Sequence, residues 1–342
     1  MILTGLSCLI GLLASSPARA QKSFDNPDTI VVARDGTGQF RNISEAIEVC
    51  RAFMEYHKVI YIKKGTYKEK IILPQWLTNI ELCGEDARET IITWDDHANI
   101  PVDLALNSWP LDVAQELRPT DGRVKIGTFR TFTLRIDGSS ITVKNLTVEN
   151  NAPRLGQAVA LHVNGDKVTF IGCRFLGNQD TIYTGNGHCR QFFRDCYIEG
   201  TTDFIFGPST AWFESCDIYC KINSYITAAS TPQDAPYGYV FNNCRITCGP
   251  QCERMFLGRP WRDYGYTLFM NCELPAQICP EGWHHWQKER EQTARYLEYN
   301  NRGAGADTSG RVAWSRQLTK KEAQAITPET VFSIQGEWSA IK

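Results

Sequence analysis

Two aspartates, Asp180 and Asp203, stand at matching places in consecutive copies of an internal repeat. Around them, four short segments set polar side chains among apolar or aromatic ones: GQAVAL (156–161), NQDTIY (178–183), DFIFG (203–207) and LGRPW (257–261). If consecutive copies are stacked coils, the two carboxylates sit at neighbouring-strand spacing, about 4.8 Å between backbones. Like charges that close resist ionising together. A pair of carboxylates serves as acid and base, or acid and nucleophile, in a glycosidase. In an ester hydrolase one attacks the acyl carbon while the other shuttles a proton. The amides of Gln157 and Gln179 favour the ester: N–H donors suit an oxyanion growing on a tetrahedral carbon, whereas an oxocarbenium ion develops positive charge. Arg259 is suited to pair with one aspartate, lower its pKa and keep it ionised as the nucleophile. The other aspartate, without that partner, is raised and starts protonated, which divides the two roles by environment. Asn, Gln and Asp ladders also stabilise solenoid turns, but two register-matched aspartates, two glutamines and an arginine flanked by aromatics exceed what turns require.

The repeat that must position these groups reads Phe-x-x-Cys-x-apolar and occurs five times, at Phe170/Cys173/Phe175, Phe193/Cys196/Ile198, Phe213/Cys216/Ile218, Phe241/Cys244/Ile246 and Phe269/Cys272/Leu274. A degenerate copy is Val143/Leu146/Val148, and a small or turn-forming residue precedes each cysteine. A period of 20 to 28 residues is too short for βαβ units and too irregular for propeller blades. The expectation is an all-β chain, a single-stranded right-handed parallel β-helix with Phe and Ile/Leu ladders inside. Its ends need covering. An amphipathic stretch from Ile43 to Tyr56, with Asn42 and Glu45 as a capping box, is expected as a capping helix at one end. VIYIKKGTYKEKIIL (59–73) alternates like strands with a turn at Gly65. The tail from about Trp283, with a short helix near Thr319–Ala325, is expected to pack along the side.

The 342 residues, 42% hydrophobic with a net charge of -2, carry no basic excess for phosphate neutralisation, which argues against nucleic-acid binding. MILTGLSCLIGLLASSPARA (1–20) reads as a secretory signal peptide cleaved near Ala20, leaving one domain over 21–342 in a secreted protein. An uncleaved anchor is the rival reading, because no Lys or Arg precedes the apolar run. No later segment is apolar for long enough to span a membrane. Export permits disulfides among the thirteen cysteines; stacked Cys196 and Cys216 are the favoured pair, against a bland ladder of buried thiols. Spacings such as Cys248/Cys252 lack the histidines of a metal site. His284 and His285 read as solvated loop residues. The sequons at Asn42 and Asn145 matter only in a eukaryotic secretory pathway, and Asn145 also fills a turn position.

Taken together, DGTGQF (35–40), VIYIKKGTYKEKI (59–71), GQAVAL, GNQDTIY, DFIFG, LGRPW, and EGWHHW through TARYLEYN make the chain similar to the pectin methylesterases from about Val32 to Ser315. The resemblance implies Asp203 as nucleophile, Asp180 as general acid and then base, Gln179 and Gln157 as oxyanion donors, and Arg259 orienting Asp203. It places Trp261, Phe206, Tyr183, Trp283, Thr128 and Phe129 along the sugar groove, although GTFRTFT (127–133) departs from the family pattern at Thr128 and Phe129. The implied reaction is hydrolysis of C6 methyl esters of galacturonate in pectin to pectate and methanol, with no metal and no organic cofactor. The implied partners are the polysaccharide and a proteinaceous inhibitor, on a monomer. Competing readings are a pectate lyase or polygalacturonase on the same solenoid, an acyl thioesterase, and a non-catalytic wall-binding solenoid. A lyase would need a larger acidic cluster for calcium.

Overall fold

The computed structural model describes residues 29–333 and 336–339; the expected signal peptide lies outside them. Every pairing between its strands is parallel and close to in register. The strands form an 11-stranded and a 12-stranded sheet, and the second folds over itself. Strand Asp217–Ala229 starts in the ladder running through Tyr197–Gly200 and ends in the ladder running through Ile205–Gly207. The chain is therefore a parallel β-helix with three strand ladders around one core.

The repeat explains the winding. Phe170, Phe193, Phe213, Phe241 and Phe269 stack inside with ring centroids 4.4 to 4.6 Å apart. Identical residues one coil apart thus bury their faces against one another, each burial stabilising by about 1.5–3 kcal/mol. The residue before each ladder cysteine is left-handed, as is Asn145 before Leu146 of the degenerate copy: Asn145, Gly172, Asp195, Ser215, Asn243 and Asn271 have φ between 50° and 60°. Asn, Asp and Gly tolerate that corner best, which is why small polar residues recur there.

The cysteines form a thiol ladder and not a bridge. Cys196 and Cys216 are free, and their Sγ atoms face the backbone carbonyls of Arg194 and Glu214 at 3.3 and 3.5 Å. Strands at neighbouring in-register positions point their Cβ atoms the same way, holding them a full strand spacing apart where a disulfide needs them closer. The expected Cys196–Cys216 bond is therefore absent from the structure.

Helix α1 covers Ile43–Glu48 only and buries Ile43, Ala46 and Ile47, shorter than the expected run to Tyr56. Phe53 turns left-handed at φ 53°, and its N–H donates to the Trp76 carbonyl, ending any helical continuation. The expected capping box is also absent. The Asn42 side chain bonds Glu45, while the Glu69 carboxylate accepts from the N–H groups of Ile43 and Ser44 at 3.0 and 2.9 Å. An acid from a neighbouring segment does the work of a local cap.

Two further short helices, α2 (Val102–Ser108) and α3 (Leu111–Leu117), lie in an excursion the periodicity did not reveal. Buried Lys70 anchors it, donating to Asp96 at 2.8 Å and to the carbonyls of Arg130 and Phe132. Trp109 Nε1 donates to the same Asp96 carboxylate. At the far end, Arg295–Tyr299 and Arg316–Gln317 extend the first sheet. Helices α4 (Lys320–Ala325), with a capping box at Thr319 and Glu322, and α5 (Pro328–Ser333) follow. Val331 and Phe332 pack on Phe192, Trp212 and Val240 outside that sheet, so the tail lies along the solenoid as expected.

Candidate active site

Asp180 and Asp203 each sit two residues before a strand, Ile182–Thr184 and Ile205–Gly207, and the pairing of Ile182 with Ile205 makes them register equivalents. Both are left-handed, at φ 67° and 50°. A non-glycine residue held there stores strain that the surrounding coils must over-determine, a cost tolerated where a side chain must be aimed. Their carboxyl groups end in one pocket with Gln157 and Gln179, walled by Thr128, Phe129, Phe206, Trp261 and Trp286. The excursion anchored by Lys70 delivers Thr128 and Phe129 on a 3-10 turn.

Arg259 follows strand Arg245–Gly258 and is fixed by its N–H to the Thr227 carbonyl at 2.9 Å. Gly258 lets the strand approach that closely, since a Cβ there would stand 1.9 Å from Thr227 Oγ1. The guanidinium meets Asp203 with two parallel bonds, Nε to Oδ1 at 3.0 Å and Nη2 to Oδ2 at 2.7 Å. It is also sandwiched between Tyr225 and Trp286, its central carbon 3.9 Å from each ring centroid. A fork gripped on both faces has little freedom to leave its carboxylate.

The electrostatics separate the two acids, with one correction. Burial raises the Asp180 carboxyl well above its usual range, the Asp203 charge adds to that, and Arg259 offsets part of it. Asp203 is also raised by burial, although the bonds and charge of Arg259 pull it back. The expectation that Arg259 takes Asp203 below its ordinary value is therefore not met, because burial outweighs the guanidinium. The order survives: the acid without a bonded cation is the more strongly raised one.

Trp283 does not line the pocket. It is buried in the solenoid core between Phe269 and Tyr296, so its expected place in the groove falls to Trp286, three residues on. EGWHHW holds both tryptophans, and nothing in that spacing distinguishes the inward one from the pocket one. Tyr183 lies beside the pocket wall, its ring 4.8 Å from Phe129 and 4.9 Å from Phe206. Truncating Trp286 to alanine releases one face of Arg259. The expected result is a fall of about tenfold in kcat/KM, with the acid limb of its pH profile moving up as Asp203 loses part of its offset. An unchanged profile would separate Trp286 from the Arg259 clamp.

Beneath this wall, His162 pairs in register with Tyr183 and packs against Phe132 and Tyr183. Burial, then the nearby Arg135 charge, push its pKa down to about 4, with Asn164 and Asp137 opposing. An unfolded histidine titrates near 6.5, so the unfolded chain binds the extra proton first as pH falls. Stability is then lost from about pH 6.5 downward and fully below about pH 4, by roughly 3 kcal/mol. Denaturant melts of wild type and His162→Phe across that window check this, the variant lacking that part of the acid sensitivity.

Among the described residues no group of His, Cys, Asp or Glu is arranged to hold a metal. The pectinesterase family model matches residues 29–104 and 119–336; the gap takes in α3. A pectinesterase of Arabidopsis thaliana is 37% identical over 296 residues, covering 85% of this chain and 88% of its own. The chain spans about half the length of several other curated relatives, named as pectinesterase/pectinesterase inhibitor. Among solved structures, a pectin methylesterase from carrot superposes with a TM-score of 0.78 at 32% identity, covering 91% of this chain and 94% of that one. Another pectin methylesterase, determined in complex with a hexasaccharide, gives 0.73 at 27% identity, covering 91% and 98%. The model match over most of the chain, together with these relatives, places this protein in the pectinesterase family.

Proposed function

We propose that the protein is a secreted pectin methylesterase that removes C6 methyl esters from galacturonate units, with Asp203 as nucleophile. The observation that carries this is the carboxylate pair itself: Asp203 forked to Arg259, and Asp180 more strongly raised beside it. Ionised Asp203 attacks the ester carbonyl carbon, and its oxygen gathers negative charge near the Gln157 and Gln179 amides. Asp180, starting protonated, gives its proton to the departing methoxide, and methanol leaves an acyl-enzyme on Asp203. Water then gives a proton to Asp180 and attacks the acyl carbon. Collapse frees the acid and restores Asp203. Arg259 holds the nucleophile's oxygens in plane throughout.

Phe129, Phe206, Trp261 and Trp286 offer faces on which pyranose rings can stack, and the hexasaccharide held by a related esterase fits a polysaccharide substrate. A monomer acting on pectin, restrained by a proteinaceous inhibitor, follows from the same reading. Incubation with highly methylated pectin tests it: methanol release without chain scission is the expected result. Unsaturated ends would indicate a lyase, new reducing ends a polygalacturonase, and neither product with methanol absent would leave the solenoid as a binding module.

A further inference from the structure

Five thiols of the chain stand in the ladder, each facing backbone carbonyls. Two others face each other. Cys248 Sγ and Cys252 Sγ lie 3.1 Å apart, a separation at which the two sulfurs are in direct contact. The cause is local. Cys220 pairs with Cys248, but the next pairing joins Ile222 to Gln251, so strand Arg245–Gly258 carries an extra residue there and bulges. Gly249 permits the bulge, since a Cβ would stand 2.4 Å from the Tyr219 hydroxyl. Pro250 follows, with no N–H to pair. The excursion folds Cys252 back over Cys248 and opens a shallow surface depression lined by both cysteines, Glu253 and Gln277. In the ladder, strand spacing keeps parallel thiols apart; here the bulge removes that constraint.

We propose that Cys248 and Cys252 are a covalent modification site, a dithiol that small-molecule disulfides such as oxidised glutathione convert to an intrachain disulfide. The Cys248 thiolate, on the more open residue, attacks one sulfur of the small disulfide. That S–S bond breaks, one thiolate departs and a mixed disulfide remains on Cys248. The Cys252 thiolate then attacks the Cys248 sulfur and displaces the second small thiolate. The two cysteines are oxidised by two electrons, the small disulfide is reduced to two thiols, and both cysteine protons end on those thiols. The Cys248 thiol is pushed up to about 12, first by its contact with Cys220 and then by burial. A sparse thiolate and a poor leaving group make both closure and reopening slow, so the bridge belongs to the folded structure and is not a fast switch.

The test uses the full chain incubated with oxidised glutathione, then denatured, alkylated and mapped by peptide mass spectrometry. The expected result is a peptide spanning residues 248–252 that lacks two hydrogens and takes no alkyl group, with every ladder cysteine alkylated. In Cys252→Ser a glutathione adduct should persist on Cys248, because the displacing thiol is gone. Cys220→Ser should close the bridge as wild type does. The proposal is overturned if both cysteines of the wild type are alkylated, or if the mass loss maps to Cys220 with Cys248. The wild-type map decides even if a variant fails to fold.

Discussion

Replacement of Asp203 by alanine is expected to lower kcat for methanol release by roughly four to six orders of magnitude, the range seen when a covalent nucleophile is removed from a site whose members act together. The geometry gives the reason. No other oxygen in the pocket is both forked by a guanidinium and placed one coil from a raised carboxyl. Asp180 cannot substitute, because burial and its missing ion partner favour its protonated form. A second effect needs a control, since Asp203→Ala leaves Arg259 without its carboxylate. The guanidinium keeps its two aromatic faces, yet an unpaired, largely buried charge destabilises. Asp203→Asn retains an acceptor for one arm of the fork and is expected to be as inactive while melting closer to wild type. Inactivity in both variants with an intact circular dichroism spectrum assigns the loss to chemistry. Wild-type rates in either would remove Asp203 from the nucleophile role and favour a non-catalytic solenoid.

The parts of the structure that could be read in advance are those written in a period. Phe170, Phe193, Phe213, Phe241 and Phe269 recur because each must stack on its equivalent one coil away, so the solenoid and the register of Asp180 with Asp203 were both visible as spacing. What escaped lies where the chain leaves the period. Helices α2 and α3 belong to an excursion held by Lys70, Asp96 and Trp109, residues far apart in sequence and brought together only by the fold. The Asn42–Glu45 pair had the form of a cap, but Glu69 from a neighbouring segment supplied a better acceptor. Trp283 is expected in the groove, but the path by which the chain leaves the coil turns it into the core between Phe269 and Tyr296 and leaves Trp286 at the pocket. The Cys196–Cys216 bridge is absent because in-register parallel strands aim both Cβ atoms the same way and so hold them a full strand spacing apart. The Asp203 pKa was misjudged for a related reason: the charge of Arg259 is legible in sequence, whereas the depth of burial opposing it is not.

Asp180→Asn should separate proton transfer from nucleophilic attack, and its pH behaviour is the sharper half of the prediction. An amide cannot protonate methoxide, so kcat is expected to fall by about two to four orders of magnitude. Under the proposed mechanism, acylation in the wild type needs Asp203 ionised and Asp180 protonated. Activity is therefore lost as pH falls through the lower apparent pKa of the pair and lost again as pH rises through the upper one. The asparagine variant should lose the alkaline limb, because no proton remains there to be removed. Its acid limb should hardly move, since Asp180 is already neutral at that end. Stability should change in the opposite sense to activity. The folded pKa of Asp180 lies above its unfolded value near 4, so the folded chain holds a proton the unfolded chain has released. Wild-type stability is consequently lost as pH rises from about 4 to the folded pKa of Asp180, and asparagine carries no such penalty. The melting temperature of Asp180→Asn relative to wild type should therefore climb through that window, giving a weaker enzyme in a more stable protein. A constant difference across pH would mean that the carboxyl is not strongly raised, and the division of labour between the two aspartates would lose its electrostatic basis.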